Sequence, residues 1–399
     1  MKYYRLDYFD KFSCIADKCD FTCCQDWLIA VDDETLDNWK QMDIPDTVKF
    51  RDSKCKCLAD YVDISENSSI KLIDHVCPFL NEKSLCNIVL EYGEENISDT
   101  CHTFPRERRE YADRIEASLS LGCKAAVKLL FENNEFNILE NDTDDDIEAE
   151  HCPEYLYEIR KWFIEIALNN EIPVNTVLKI LFYLILDIDD KNIDSVEKLN
   201  EYKNSGIVDE LFKMIQNTGI QADFDDQFNE DNELLLDLFV RYYEQEKYLE
   251  YISDIFEYAE DIEGLSNKDM TENEDNILSN IDDNLFDLYE EYEEKIYVQY
   301  EDKIRLVITE ELFASLLTGE SSVAAMTIKL EWLAIELAVL KQWMFIRYSI
   351  DKEFNENTLV QIIAVLFRIT GYCDDDIIEY MNNSFEEIIW DWGYMNLII

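Results

Sequence analysis

A chain of 399 residues, 47% of them hydrophobic, is long enough for two domains and a sizeable core. Its 89 Asp and Glu against 35 Lys and Arg leave a net charge of −54, a field that repels nucleic acid and anionic membrane surfaces and attracts basic partners. No stretch is long and apolar enough to span a bilayer, and the opening Met1-Lys2-Tyr3-Tyr4-Arg5-Leu6-Asp7 lacks the apolar run of a signal peptide, so a cytoplasmic protein is expected, with neither nucleic acid nor membrane as partner.

The charge is uneven. Residues 1–130 hold 17 Lys and Arg against 25 Asp and Glu, a net of −8, and the remainder carries −46. Such a field serves solubility as readily as partner capture. The chain has five prolines, the last at Pro173, and eight glycines, so everything beyond Pro173 favours long helices.

In chain order, residues 1–13 are rich in Tyr and Phe without a clean period, and are expected to pack beside the first cysteines. Asp32-Asp33-Glu34 opens a short helix through Trp39, since acids favour a helix N-terminus, and Pro45 closes that reading. Residues 50–76 read as loops and brief strands at 61–64 and 70–73, and 84–92 has near-helical apolar spacing. Residues 125–131 read as a helix. The like-charge run Asn141–Asp146 reads as solvated, which gives a linker over about 136–149. Pro153 then suits the first turn of a helix whose apolar face is Leu156, Ile159, Trp162, Phe163 and Ile166. Residues 174–186 are apolar almost all round and read as a buried helix. Acidic helical segments follow at 209–217, 232–262, 283–299 and 302–317, then the longest at 322–348, then 358–370 and 375–396. The expected fold is mainly α: an irregular cysteine-rich metal-binding domain over 1–135, then an acidic all-helical domain over 150–399.

Ten of the 12 cysteines fall between Cys14 and Cys123. Disulfides belong to oxidising compartments, which the opening sequence does not indicate. A structural zinc site pairs its ligands as C-x2-4-C, and Cys19-x3-Cys23 fits one knuckle without a second of that form. Iron–sulfur ligands are thiolates that tolerate wide spacing and sometimes precede proline, as Cys77-Pro78 does. The spacing therefore indicates a metal and leaves zinc or iron–sulfur open. The ligand pool is Cys14, Cys19, Cys23, Cys24, Cys77, Cys86, Cys101 and Cys123, enough for two four-thiolate centres or one with spare thiols. Cys55, Cys57, Cys152 and Cys373 stand outside it, and His102, beside Cys101, is a further potential ligand.

Cys14-x4-Cys19-x3-Cys23-Cys24, Cys77-Pro78-Phe79-Leu80, Leu85-Cys86-Asn87-Ile88, Asp99-Thr100-Cys101-x2-Phe104-Pro105-Arg106 and Ser118-x-Ser120-x2-Cys123 resemble, in that order, the flagellin lysine-N-methylase (FliB-type) family. Its N-terminal part is similar to a wider cysteine-rich zinc- or iron-chelating family. The opening Lys2-Tyr3-Tyr4-x3-Tyr8 and Cys24-x2-Trp27 belong to the match, which covers about residues 1–130. The resemblance implies methyl transfer from S-adenosylmethionine to lysine ε-amines of flagellin, with an iron–sulfur (4Fe-4S) cluster or zinc on the cysteines. Arg106, inside the Phe-Pro-Arg block, is the expected ligand of the cofactor carboxylate. Arg108 and Arg109 pair more simply with Glu107 and Glu110 on the surface.

Two departures stand beside that implication. No G-x-G turn offers the adenosyl cofactor a Rossmann-like seat, and Asp26 occupies the third position of a Cys-x3-Cys-x2-Cys radical motif. The 23 tyrosines supply many hydroxyls for an amine site and single out none. A second class of function stays open: a non-catalytic metal-binding module that docks basic or unfolded clients through its acidic helices.

Overall fold

The computed structural model describes residues 1–48, 54–64, 68–133, 136–145, 147–218, 224–266, 278–317, 321–371, 373–385 and 392–399. The first element is a strand, β1 (Lys2–Leu6). Helix α1 (Asp33–Trp39) follows the Cys14–Cys24 segment, and Asp32 caps it by accepting from the Thr35 amide at 2.8 Å, as the acidic run predicts. A two-stranded ribbon, β2 (Val62–Asp63) with β3 (Ser69–Ile70), leads to α2 (Asn87–Tyr92) and α3 (Asp99–Thr103). The hairpin β4 (Arg106–Glu110) and β5 (Arg114–Leu119) runs into α4 (Lys124–Glu132), and β6 (Ile138–Asp142) ends this part.

These strands form one sheet in the order β4-β5-β1-β6, with β1 parallel to β5 and antiparallel to β6. The sequence reading contains none of the four. Residues 2–6 are paired on both sides, so partial burial replaces the in-out alternation that marks a one-sided strand. Both edges, Arg-Glu-Arg-Arg-Glu in β4 and Ile-Leu-Glu-Asn-Asp in β6, carry charge, which protects an edge and hides it from a hydrophobic pattern search. Strand β6 occupies residues 138–142, within the stretch read as a linker.

The rest is helical: α5 (Glu154–Ala167), α6 (Val174–Asp190), α7 (Val196–Lys203), α8 (Ile207–Thr218), α9 (Phe224–Glu244), α10 (Leu249–Ser266) and α11 (Leu278–Tyr292), which passes through a π turn into α12 (Val298–Ala314). Then come α13 (Val323–Asp351), α14 (Glu356–Ile369), α15 (Asp374–Phe385) and α16 (Trp392–Ile398). Pro153 and Pro173 stand immediately before α5 and α6. Helix α13 is 29 residues long and packs on α6, α9, α10, α11, α14 and α16, so it is apolar nearly all round. No helix among the described residues is long and apolar enough to cross a membrane.

Two apolar cores result. The larger joins Leu6, Tyr8, Phe12, Phe21, Leu119, Leu121 and α4 to the helices beyond residue 150. The smaller, from Ile29 to Ile88, is built around Phe79, with the Trp39 and Tyr61 rings edge-on at 5.5 and 5.4 Å.

Candidate functional site

The cysteine blocks converge through backbone pairing. Residues 24–26 pair with 75–77: the Cys77 amide donates to the Cys24 carbonyl at 2.8 Å and the Asp26 amide to that of His75 at 2.9 Å. Leu80 bridges Cys86, and the Asn87 amide donates to Phe79 at 2.8 Å. Ser98 caps α3 by accepting from the Cys101 amide. Cys23, Cys77, Cys86 and Cys101 are thereby gathered so that each thiol lies within electrostatic reach of the other three. Cys24 hydrogen-bonds Cys23; this contact first, and burial second, hold the Cys23 thiol far above its ordinary value. Burial raises Cys77 and Cys86, and pushes Cys101 up to about 11. Cys19 interacts with Cys14, Cys23 and Cys123, a second series leading away from the four. Cys14 and Cys373 are exposed, and Cys152 is buried in the helical core. The donor chemistry suits a thiophilic metal. As the side chains stand, however, no three His, Cys, Asp or Glu among the described residues converge closely enough to hold one.

Arg368, on α14, ties these blocks to the helical core. Its guanidinium donates to the carbonyls of Gly122 and Thr22, lies 3.9 Å from the Phe21 ring centre, and faces Phe104 at 5.4 Å. Phe104 packs on Trp27 at 5.1 Å. The positive charge of Arg368 is felt by Cys23 and Cys123, where it favours the thiolate. Arg106 points elsewhere: it donates to the Phe12 carbonyl at 3.2 Å and lies over the Phe12 ring. Arg108 pairs with Glu110 and Asp145, and Arg109 with Glu107 at 3.6 Å. His102 is exposed on α3.

The segment Ser118–Cys123 has a second neighbour. Ser120 and Leu121 line a cavity of about 100 Å³ with Glu107, Glu311, Ser315, Lys329, Trp332, Leu333, Glu336, Phe367 and Thr370. Its walls come from β4, β5, α12, α13 and the end of α14; its lining residues Ser120 and Leu121 directly precede Gly122 and Cys123, and Phe367 and Thr370 flank Arg368 in sequence. Glu336 is 4% exposed and accepts from the Thr370 hydroxyl at 2.6 Å. Glu311 accepts from the Ser315 hydroxyl at 2.6 Å. Beneath it Glu310, fully buried, takes the hydroxyl of Tyr8, a residue of the opening block. Burial pushes Glu310 up to about 8 and Glu311 up to about 7, and holds Glu336 well above the usual carboxylate range. Glu107, which also lines the cavity, is raised by desolvation as well, though its side chain keeps nearly half its surface open.

Cations are scarce here. Lys329 is engaged by Asp374 at 2.6 Å. Arg109 donates to Ser118 at 3.0 Å and leaves two guanidinium nitrogens buried without an acceptor. Glu116, two positions from Ser118, shows the contrasting solution: Arg160 grips both of its carboxylate oxygens.

None of Glu310, Glu311, Lys329, Glu336 or Arg368 figures among the sequence candidates. The available signal is a charge at a core position: Glu336 interrupts the apolar stripe of α13, and Glu310-Glu311 sits between Ile308 and Leu312. With 89 acids in the chain, that signal is faint.

Residues 160–398 match the family described as the FliB lysine N-methylase C-terminal domain. Among curated proteins, the chain is 30% identical over 120 residues to the flagellar biosynthetic protein FliU of Salmonella muenchen, covering 28% of this chain and 66% of that one. It is 30% identical over 121 residues to the lysine-N-methylase of Salmonella typhimurium, covering 28% of each. A third relative, the lysine-N-methylase of Salmonella choleraesuis, is matched at 30% over 120 residues, again 28% of each. The chain thus spans just under two thirds of the first relative and less than a third of the other two. No solved structure matches it.

Proposed function

Because the chain belongs to the FliB lysine N-methylase family, we propose that it transfers a methyl group from S-adenosylmethionine to lysine side chains of flagellin. One observation carries the reading: the family match covers α12, α13 and α14, the helices that wall the carboxylate cavity. A lysine amine has an ordinary pKa of about 10.4 and is protonated at neutral pH, so a methylase needs groups that attract the cation and then remove its proton. S-adenosylmethionine supplies an electrophilic methyl on a sulfonium. The protein's task is to hold the neutral amine in line with it and exclude water.

Part of the same proposal is a thiolate-bound centre, iron–sulfur by preference or else zinc, drawn from the eight cysteines, with Cys23, Cys77, Cys86 and Cys101 as the core set. Its role is to hold the smaller core together. Anaerobically purified protein is expected to be brown, with broad absorption near about 400 nm. Colourless protein with stoichiometric zinc removes the iron–sulfur part alone.

The test of function is incubation of the full chain with methyl-labelled S-adenosylmethionine and flagellin, followed by mass mapping of flagellin lysines. Label on lysines is expected; its absence, with flagellin from the same source, overturns the proposal. The competing reading, a non-catalytic docking module, draws support from an open groove between α9, α10, α15 and α16. There Glu230, Glu233, Asp237, Glu260 and Glu263 face one another with no Lys or Arg among the lining residues. That reading expects flagellin to bind without transfer, and tryptophan fluorescence to ignore added S-adenosylmethionine.

A further inference from the structure

We infer that the cavity between β4, β5, α12, α13 and the end of α14 receives the amine of the substrate lysine, with the carboxyl groups of Glu107 and Glu336 as its polar walls and Glu311 as the base that takes its proton. This rests on the methylase reading and goes further by assigning residues to the amine.

The first argument is charge balance. Buried carboxylates must acquire a cation or a proton. Glu116 has Arg160, whereas among the described residues Glu310, Glu311 and Glu336, with the half-exposed Glu107 beside them, share only Arg109 and an already engaged Lys329. A visiting ammonium supplies the missing charge. Size gives the second argument. A space of about 100 Å³ accommodates an ammonium and its last methylenes. Trp332, Leu333, Leu121 and Phe367 offer apolar and aromatic surface to that stem. Orientation is the third. Thr370 fixes one oxygen of Glu336, and Ser315 fixes one of Glu311. Glu311 is faced by Glu107 and Arg109 from β4 and by Lys329 and Glu336 from α13, with Glu310 beside it on α12. Poised at about 7, it is ionised often enough to accept a proton and weak enough to release it to water.

The step balances as follows. The ammonium loses one proton to the Glu311 carboxylate. The freed nitrogen lone pair attacks the methyl carbon of S-adenosylmethionine. A C–N bond forms as the C–S bond breaks, its electron pair stays on sulfur, and the product is a methylated ammonium and a neutral thioether. Glu311 then passes its proton to water.

The experiment compares full-length wild type with Glu311→Gln and Glu336→Gln, using flagellin and labelled S-adenosylmethionine across pH 6 to 9. Wild-type kcat is expected to climb through about pH 7. Glu311→Gln is expected to lose about 100-fold in kcat and that rising limb, and Glu336→Gln to raise KM for flagellin. An active wild type whose Glu311→Gln variant keeps rate and pH profile overturns the assignment and spares the methylase reading. An inactive wild type overturns both. Should the variants fail to fold, n-butylamine on wild type decides: competition with flagellin is expected, and none overturns the assignment.

Discussion

The smaller core gathers fourteen buried residues, from Ile29 to Ile88, around one phenylalanine, with five of the cysteines packed against it and Cys77 within it. The larger core wraps a 29-residue helix and extends from Leu6 to Ile398. A core of the first size buries too little apolar surface to stand without staples. One of the second size tolerates the buried Glu310 and Glu336 and the half-buried Glu311, which among the described residues have only Arg109 and Lys329 as nearby cations. The small region is short of apolar burial and supplies thiols; the large one has ample burial and supplies desolvated carboxylates.

The sharpest way to break this contrast is at the thiols. Single Cys→Ser changes at Cys23, Cys77, Cys86 or Cys101 are expected to empty the proposed metal centre and make the protein insoluble, because the apo region has little else to hold it. Cys152→Ser and Cys373→Ser should keep full metal. Elemental analysis per chain decides, and full metal in every variant from Cys14 to Cys123 defeats the ligand assignment.

Arg368→Ala acts at the seam. It removes donors to Gly122 and Thr22 and a cation stacked on Phe21, at an expected cost of about 3 kcal/mol. Urea unfolding measures it. If the two cores are independent, the smaller should unfold unchanged; loss of both together shows that this residue couples them.

A subtler test uses pH. Folded Glu310 and Glu311 hold protons to about 8 and about 7, against an ordinary 4.5. Between those limits the native state binds more protons than the unfolded one, so stability falls as pH rises from about 4.5 to about 8. The Tm should be higher at pH 6 than at pH 8.5, and Glu310→Gln should flatten that slope. An unchanged slope means the buried carboxylates are compensated after all.

The smallest effect expected is that of salt. Flagellin affinity should weaken as ionic strength rises, since the Debye length shrinks from about 10 Å at 0.1 M to about 3 Å at 1 M, while metal content stays constant. Flat affinity reduces the −46 helical part to a solubility device.

Much of this was legible in the residues, and for physical reasons. Asp32-Asp33-Glu34 announces α1 because its cap is local, and the apolar run at 174–186 announces α6. The block Ser118-x-Ser120-x2-Cys123 could be found, yet not its three duties: Ser118 holds Arg109, Ser120 lines the cavity, and Cys123 joins the thiols. Strand β1 escaped because its partners lie more than a hundred residues away. The cavity acids escaped because sequence marks a glutamate without marking its burial, and Arg368 because nothing local distinguishes a cation that seals a seam.

The order of the sheet has a consequence for biosynthesis. Ribosomes deliver β1 first, yet its neighbours in the sheet are residues 114–119 and 138–142. Until those emerge, β1 has no sheet partner, and the whole cysteine segment lies in an unclosed loop. Nascent chains therefore present every thiol from Cys14 to Cys101 to solvent before the sheet can shut behind them. The proposed metal would meet an open segment if delivered during translation, whereas loading the finished protein would require the sheet to open again.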